Sequence, residues 1–236
     1  MRHGEEIKYS DLKETGLLGE LIYRFKLNNP RAELYVSMPL LEVLQNAATS
    51  MSKDAYGRCQ IKLDKIVSAL NMFGGVVAGG AVLALIEDSI MKDIDMFFPS
   101  VVAHNFALEQ ARKGVFQKVY ENKNATAFNV DGVGLVEIIN RVYGSAPEII
   151  RSFDFSAVKL AIHKNEEGIL TLTAAVSAAY DISVKRLTLN GAIFDPKTTL
   201  SRVARYGAKG YTLSHRDAEV LFKACQNTED SNEYYY

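Results

Sequence analysis

The stretch from Val76 to Phe98 constrains the fold more than any other part of the chain. Val76-Val77-Ala78 is a short apolar run, Gly79-Gly80 interrupts it, and Ala81-Val82-Leu83-Ala84-Leu85-Ile86 is apolar on every side. That order predicts a strand, a tight turn and a buried helix. Thirteen positions beyond Gly80 (93 − 80 = 13) begins Asp93-Ile94-Asp95-Met96-Phe97-Phe98, closed by Pro99. It is read as a second strand, in which Asp93 and Asp95 share one face because side chains alternate along a strand.

Two carboxylates held that close repel, and burying them without positive charge costs free energy. A divalent cation with hard-oxygen preference offsets the cost. Mg²⁺ takes carboxylates from a protein and completes its shell with substrate phosphates and water. Glycine lets a backbone approach phosphate oxygens, and free N–H groups at a helix start attract them. Gly79 and Gly80 are therefore read as a phosphate cradle beside a metal site at Asp93 and Asp95. An Asp-x-Asp pair alone is most often surface decoration and a Gly-Gly pair alone is a turn; the combination carries the reading.

The flanking sequence predicts an α+β fold, a mixed sheet covered by helices at both chain ends. Residues 1–73 are read as a helical N-terminal region, from Leu17, Leu18, Leu21, Ile22 and Phe25 and from Ile61, Leu63, Ile66, Val67, Leu70 and Phe73 at helical spacing. Residues 74–180 form the expected core. Its strands are read at Val115–Tyr120, Ala125–Val130 and Gly134–Asn140, with Asp131-Gly132 as a hairpin turn. A further hairpin is expected from Phe153–His163 and Gly168–Ala174. Residues 181–226 are expected to be helical, and the polar, tyrosine-ended tail 227–236 to be disordered.

Composition narrows the function classes. The 236 residues carry 27 basic and 28 acidic side chains, a formal net charge of −1, without the basic excess usual in nucleic-acid binders. Between Lys185 and Arg216, however, seven basic residues face only Asp195, giving 7 − 1 = +6, enough to hold phosphates or a short RNA. Cys59 and Cys225 fit no metal spacing, and a reduced, cytoplasmic protein is the simple expectation. No signal peptide and no membrane span are expected. His3, His104, His163 and His215 form no cluster, so no zinc site is expected. The sequence has no P-loop, dinucleotide fingerprint or nucleophile elbow.

Ala78-Gly79-Gly80-Ala81-Val82 followed by Lys92-Asp93-Ile94-Asp95-Met96-Phe97 resembles the signature of the DNA polymerase β-type nucleotidyltransferase superfamily. The Gly-Gly form is similar to that of poly(A) polymerases and tRNA CCA-adding enzymes. Where CCA-adding enzymes carry an Arg-Asp pair shortly after the glycines, this chain has Leu83-Ala84. Ser152-Phe153-Asp154-Phe155 and Arg205-Tyr206-Gly207-Ala208-Lys209-Gly210-Tyr211 resemble small nucleotidyltransferase-like proteins of large bacteriophages.

The resemblance implies an enzyme dependent on Mg²⁺ or Mn²⁺ that moves a nucleoside monophosphate from an NTP to an acceptor such as an RNA or tRNA 3′ end. It also implies a third carboxylate from a neighbouring strand. The candidates are Asp154, in the Phe-Asp-Phe segment, and Glu137, an acid within the apolar run Leu135–Ile139; the phage-like segment favours Asp154. Arg205 and Lys209 are candidates for the triphosphate or a nucleic-acid backbone. The alternative is a catalytically idle relative acting as a binding or regulatory protein, with the acidic tail contacting a protein partner.

Overall fold

The structure, a computed structural model, describes residues 6–8, 35–48, 52–114, 116–190 and 193–230. The chain divides into two compact units, Met1–Ser152 with Val158–Val176, and Phe153–Ala157 with Ser177–Tyr236. The expected α+β class holds: a large mixed sheet and, among the described residues, eight α-helices.

The first unit is built on nine strands: β1 Glu6–Lys8, β2 Tyr35–Pro39, β3 Val76–Ala78, β4 Asp93–Phe98, β5 Gln117–Glu121, β6 Ala125–Val130, β7 Gly134–Tyr143, β8 Leu160–Lys164 and β9 Leu170–Ala175. Their order is β1-β2-β9-β8-β3-β4-β7-β6-β5. The β1–β2 and β4–β7 pairs are parallel and the rest antiparallel. The helices are α1 Leu40–Ala48, α2 Lys53–Phe73, α3 Gly80–Ile86, α4 Val101–Lys113 and α5 Ala146–Arg151.

Cross-strand register sorts the sheet into rows. Met38, Leu172, Ile162, Val77, Met96 and Ile138 lie side by side in one row. All but Met38 are buried. Side chains of that size contribute about 1.5–3 kcal/mol each on burial. The neighbouring row points to the opposite face and is made of polar and small residues. Helix α2 buries Leu63, Ile66, Leu70 and Phe73, and α3 buries Ala81 through Leu85. Ser52 caps α2 by accepting from the Ala55 N–H at 3.3 Å. Arg58 (2.5 Å) and Lys62 (2.6 Å) on α2 both grip Asp88, just past α3, fixing the helix after the glycine pair against the long helix.

Two expectations for the first unit need correction. Residues 35–39 are a strand and not part of an all-helical N-terminal region. Tyr35 and Val36 are buried, and β2 alternates in register with β9. The expected 153–163 strand is confined to Leu160–Lys164, because the 153–157 segment belongs to the other unit. The helix expected around Leu17–Phe25 lies outside the described residues.

The second unit holds α6 Val176–Ser183, β10 Arg186–Leu187, α7 Pro196–Gly207, β11 Thr212–Leu213 and α8 His215–Asp230. The parallel β10–β11 pair is a second departure from an all-helical C-terminal region. Phe155 packs edge-on to Tyr206 (6.1 Å), and Tyr206 to Tyr211 (5.9 Å). Buried Asp181 is held by Ser156 and by Arg186 at 3.0 Å. Helix α8 runs to Asp230, past the expected start of the tail at Asn227; residues 231–236 lie outside the described residues.

Candidate functional site

Ile94 and Met96 anchor β4 in the core, so Asp93 and Asp95 project from the opposite face, as alternation dictates. The β4–β7 ladder then decides which acid joins them. Asp93 pairs with Leu135, and Asp95 pairs with Glu137. Residues paired across two strands share a face, so Glu137 stands beside Asp95. From Asp95 this row continues through Glu137 to Ala127 on β6 and Tyr120 on β5. On the other side, Ala78 takes the next step along the β3–β4 ladder and pairs with Ala161 on β8, which pairs with Thr173 on β9. Ala78, Ala127 and Ala161 keep the floor low on both sides of the acids.

Tyr120 was not among the residues singled out in the sequence. A register shift between Lys118 and Tyr120 inserts Val119 as an extra residue in β5. Tyr120 lies opposite Ala127, in step with Glu121 opposite Thr126 at the hairpin end, and the bulge falls just before it. Tyr120 therefore shares a face with Glu137, two strands away across Ala127. The Tyr120 phenol pKa is pushed well up, first by burial and then by Glu137 and the charges of Asp95 and Asp93.

Gly79 sits at φ 76°, ψ −126°, a conformation closed to residues with a Cβ. Its N–H donates to the Leu160 carbonyl at 2.9 Å, and its own carbonyl accepts from Leu83 at 3.0 Å. Gly80, the first residue of α3, differs: a Cβ there would meet no atom within 4 Å. Gly79 makes the turn, and Gly80 leaves the backbone open to approach.

The other predicted residues lie in the second unit. Asp154 accepts from Arg202 at 2.6 Å and from Thr199 at 3.0 Å, both on α7. Its neighbours are tied down as well, with the Asp154 carbonyl accepting from Asn190 N–H and Phe153 carbonyl from the Asn190 amide. Arg205 is exposed on α7. The Lys209 amine lies 5.6 Å from the Tyr206 ring centroid, and Lys185 lies 4.9 Å from that of Tyr211. These are cation–π contacts within the basic segment.

Among the described residues, no three His, Cys, Asp or Glu side chains are gathered tightly enough to enclose a metal ion as they stand. The donors on the Asp95 row nevertheless suit one ion class: they are all carboxylate oxygens, the hard ligands of Mg²⁺ and Mn²⁺. No helix among the described residues is long and apolar enough to cross a membrane.

A family model for the Gabija anti-defense 2 family matches residues 45–181, which include the whole Asp95 row from β3 to β9. The chain belongs to the Gabija anti-defense 2 family. Gabija anti-defense 2 of Bacillus phage SPbetaL7 is 26% identical over 164 residues, covering 70% of this chain and 40% of that protein. Among solved structures, the Thermotoga maritima CCA-adding enzyme complexed with tRNA is similar with a TM-score of 0.56 and 17% identity, over 81% of this chain and 46% of that one. A CCA-adding enzyme with CTP gives a TM-score of 0.53 and 15% identity, over 83% and 48%. At these identities the likeness is one of fold: this family member has the polymerase β-like nucleotidyltransferase fold. It spans less than half the length of the relatives it matches.

Proposed function

We propose that the chain is a nucleotidyltransferase dependent on Mg²⁺ or Mn²⁺, moving a nucleoside monophosphate from an NTP to an acceptor hydroxyl as the bond between the α- and β-phosphates breaks and pyrophosphate leaves, and that this transfer serves a phage against a bacterial defence. The observation that carries the reading is the pairing of Asp95 with Glu137, which adds a third carboxylate to the Asp93–Asp95 face. Asp93, Asp95 and Glu137 would hold the metal. When bound, such an ion neutralises charge on the phosphates and polarises the phosphorus under attack. Glu137 takes the proton of the acceptor hydroxyl at its carboxylate. The open backbone at Gly80 admits the triphosphate, and Asp154 keeps a structural role with Arg202. Arg205 and Lys209, in the basic segment of the second unit, are candidates to bind the phosphates of an RNA acceptor.

The acceptor class follows less directly. The +6 segment and the fold shared with tRNA-bound and CTP-bound CCA-adding enzymes favour an RNA or tRNA 3′ end. The family name favours an acceptor within the defence machinery of the host cell, where the protein would act. A second reading, an idle member that binds a partner, draws support from the loose acid cluster and from Leu83-Ala84; the acidic tail would then be a contact.

The test is transfer of label from α-phosphate-labelled NTPs, one at a time, with Mg²⁺ or Mn²⁺, to total RNA and to protein extract. Label carried by the native chain and not by an Asp93→Ala/Asp95→Ala variant supports transfer and reports the acceptor class. No label with any acceptor, together with no metal-dependent NTP binding, favours the binding module.

A further inference from the structure

Helix α4 inverts the usual pattern of a helix laid on a core. It buries His104, Ala107 and Ala111 and leaves Val102 79% and Phe106 60% exposed, although a surface helix normally turns its large apolar residues inward. Val102 and Phe106, four positions apart, share one outward stripe. Met72, in the last turn of α2, is 42% exposed and lines the same hollow.

Two grooves run along this face. The first, of about 580 Å³, is lined by Met72, Phe73, Gly74, Phe98, Val102 and Phe106 among others. The second, of about 320 Å³, shares Met72 and Phe73 and continues to Lys113 and Phe116. Phe73 meets Phe116 edge-on at 5.8 Å. A Cβ on Gly74 would meet no atom within 4 Å, so this glycine keeps the hollow deep. Both grooves are large enough to take whole side chains.

Most polar groups of the lining are engaged within the chain. Asn71 Oδ1 accepts from Lys164 at 2.7 Å, and Ser100 Oγ accepts from the Ala103 N–H at 3.2 Å. Among the lining residues Lys113 alone is charged, and Glu109 pairs with it at 2.6 Å. A strongly charged partner would find no complement here. A second copy of the chain would find one. The net charge of −1 makes copies repel little, and the projecting Val102 and Phe106 lie beside the hollow that the same residues of another copy would fill. A two-fold contact needs such a projection and hollow on a single surface.

We propose that this face joins two copies of the chain, Val102 and Phe106 of each entering the groove of the other. No residue of the Asp95 row lines either groove, so the contact is independent of the transfer reading. Sedimentation velocity of the full chain, with reductant present and over a wide range of concentration, tests it. A reversible monomer–dimer equilibrium is expected. Phe106→Glu and Val102→Glu each place an uncompensated charge in the contact and are expected to weaken association by about 30-fold or more. Phe222→Glu, at a comparably exposed phenylalanine of the second unit (65%), is expected to leave association unchanged. Thermal melting checks each fold. A native chain that stays monomeric at every concentration overturns the proposal. So does a dimer that survives both groove variants, or one that Phe222→Glu alone dissociates.

Discussion

Asp95 and Glu137 stand opposite each other in direct register across two parallel strands, β4 and β7. Like charges at such a position destabilise a sheet, so their presence points to work done elsewhere than in folding. Asp95→Asn and Glu137→Gln are each expected to cut NTP transfer by about 100-fold or more, equivalent to ~2.7 kcal/mol of lost transition-state stabilisation. Thermal melting without metal is expected to stay level or rise. Single-turnover transfer and melting curves on the same samples check both; a loss of activity accompanied by lowered melting would instead mark these acids as structural.

The three glycines beside β3 are expected to respond differently to alanine. Gly75 has φ 73°, and a Cβ there would lie 2.4 Å from the Phe97 carbonyl oxygen, so Gly75→Ala loses the most stability. Gly79→Ala is expected to cost about 1–3 kcal/mol for its strained backbone. Gly80→Ala keeps stability in urea titration, since the added methyl meets open space, yet weakens NTP binding by obstructing the backbone.

Asp88 provides a pH-dependent test of the α2–α3 clamp. Hydrogen bonds first from Arg58 and then from Lys62 hold its carboxyl down to about 2. A group depressed in the folded state contributes stability that is fully present above its unfolded pKa, near 3.9, and is lost as pH falls through the folded one. Asp88→Asn is therefore expected to lower the urea midpoint at pH 7. The gap to the native chain closes between about pH 4 and pH 2. Asn tolerates the left-handed backbone at this position, φ 51°, so the difference reports the charge.

Asp154→Asn separates the two candidate third acids. Breaking its pair with Arg202 and Thr199 is expected to cost about 1–3 kcal/mol in unfolding while Mn²⁺ affinity holds. A large loss of Mn²⁺ affinity with unchanged stability would return the third-ligand role to Asp154.

Much of the site was legible in the sequence because it follows from local rules. Alternation alone places Asp93 and Asp95 on one face, and glycine at φ 76° is the residue a turn into α3 demands. Glu137 was visible as an acid in an apolar strand. Its pairing with Asp95 was not, because parallel register is set by α4 and the β5–β6 hairpin between β4 and β7. Asp154 was favoured by a motif likeness, but its partner Arg202 lies 48 residues away and leaves no local trace. Strand β2 was missed because its partner, β9, lies more than a hundred residues on. Tyr120 was invisible for a different reason: nothing in Gln117-Lys118-Val119-Tyr120-Glu121 marks which residue faces a row of acids two strands away.

The extra residue in β5 also bears on solubility. Strand β5 is the rim of the sheet, where an unbroken ladder of free backbone groups would invite another chain to add a strand. Val119 interrupts the ladder. Lys118 and Glu121 pair on the same strand at 3.0 Å, and Arg112 reaches Glu121 at 3.2 Å, so charge guards the rim. A deletion of Val119 that straightened the strand would leave Tyr120 opposite Ala127 yet offer neighbouring molecules a smooth edge on which to aggregate.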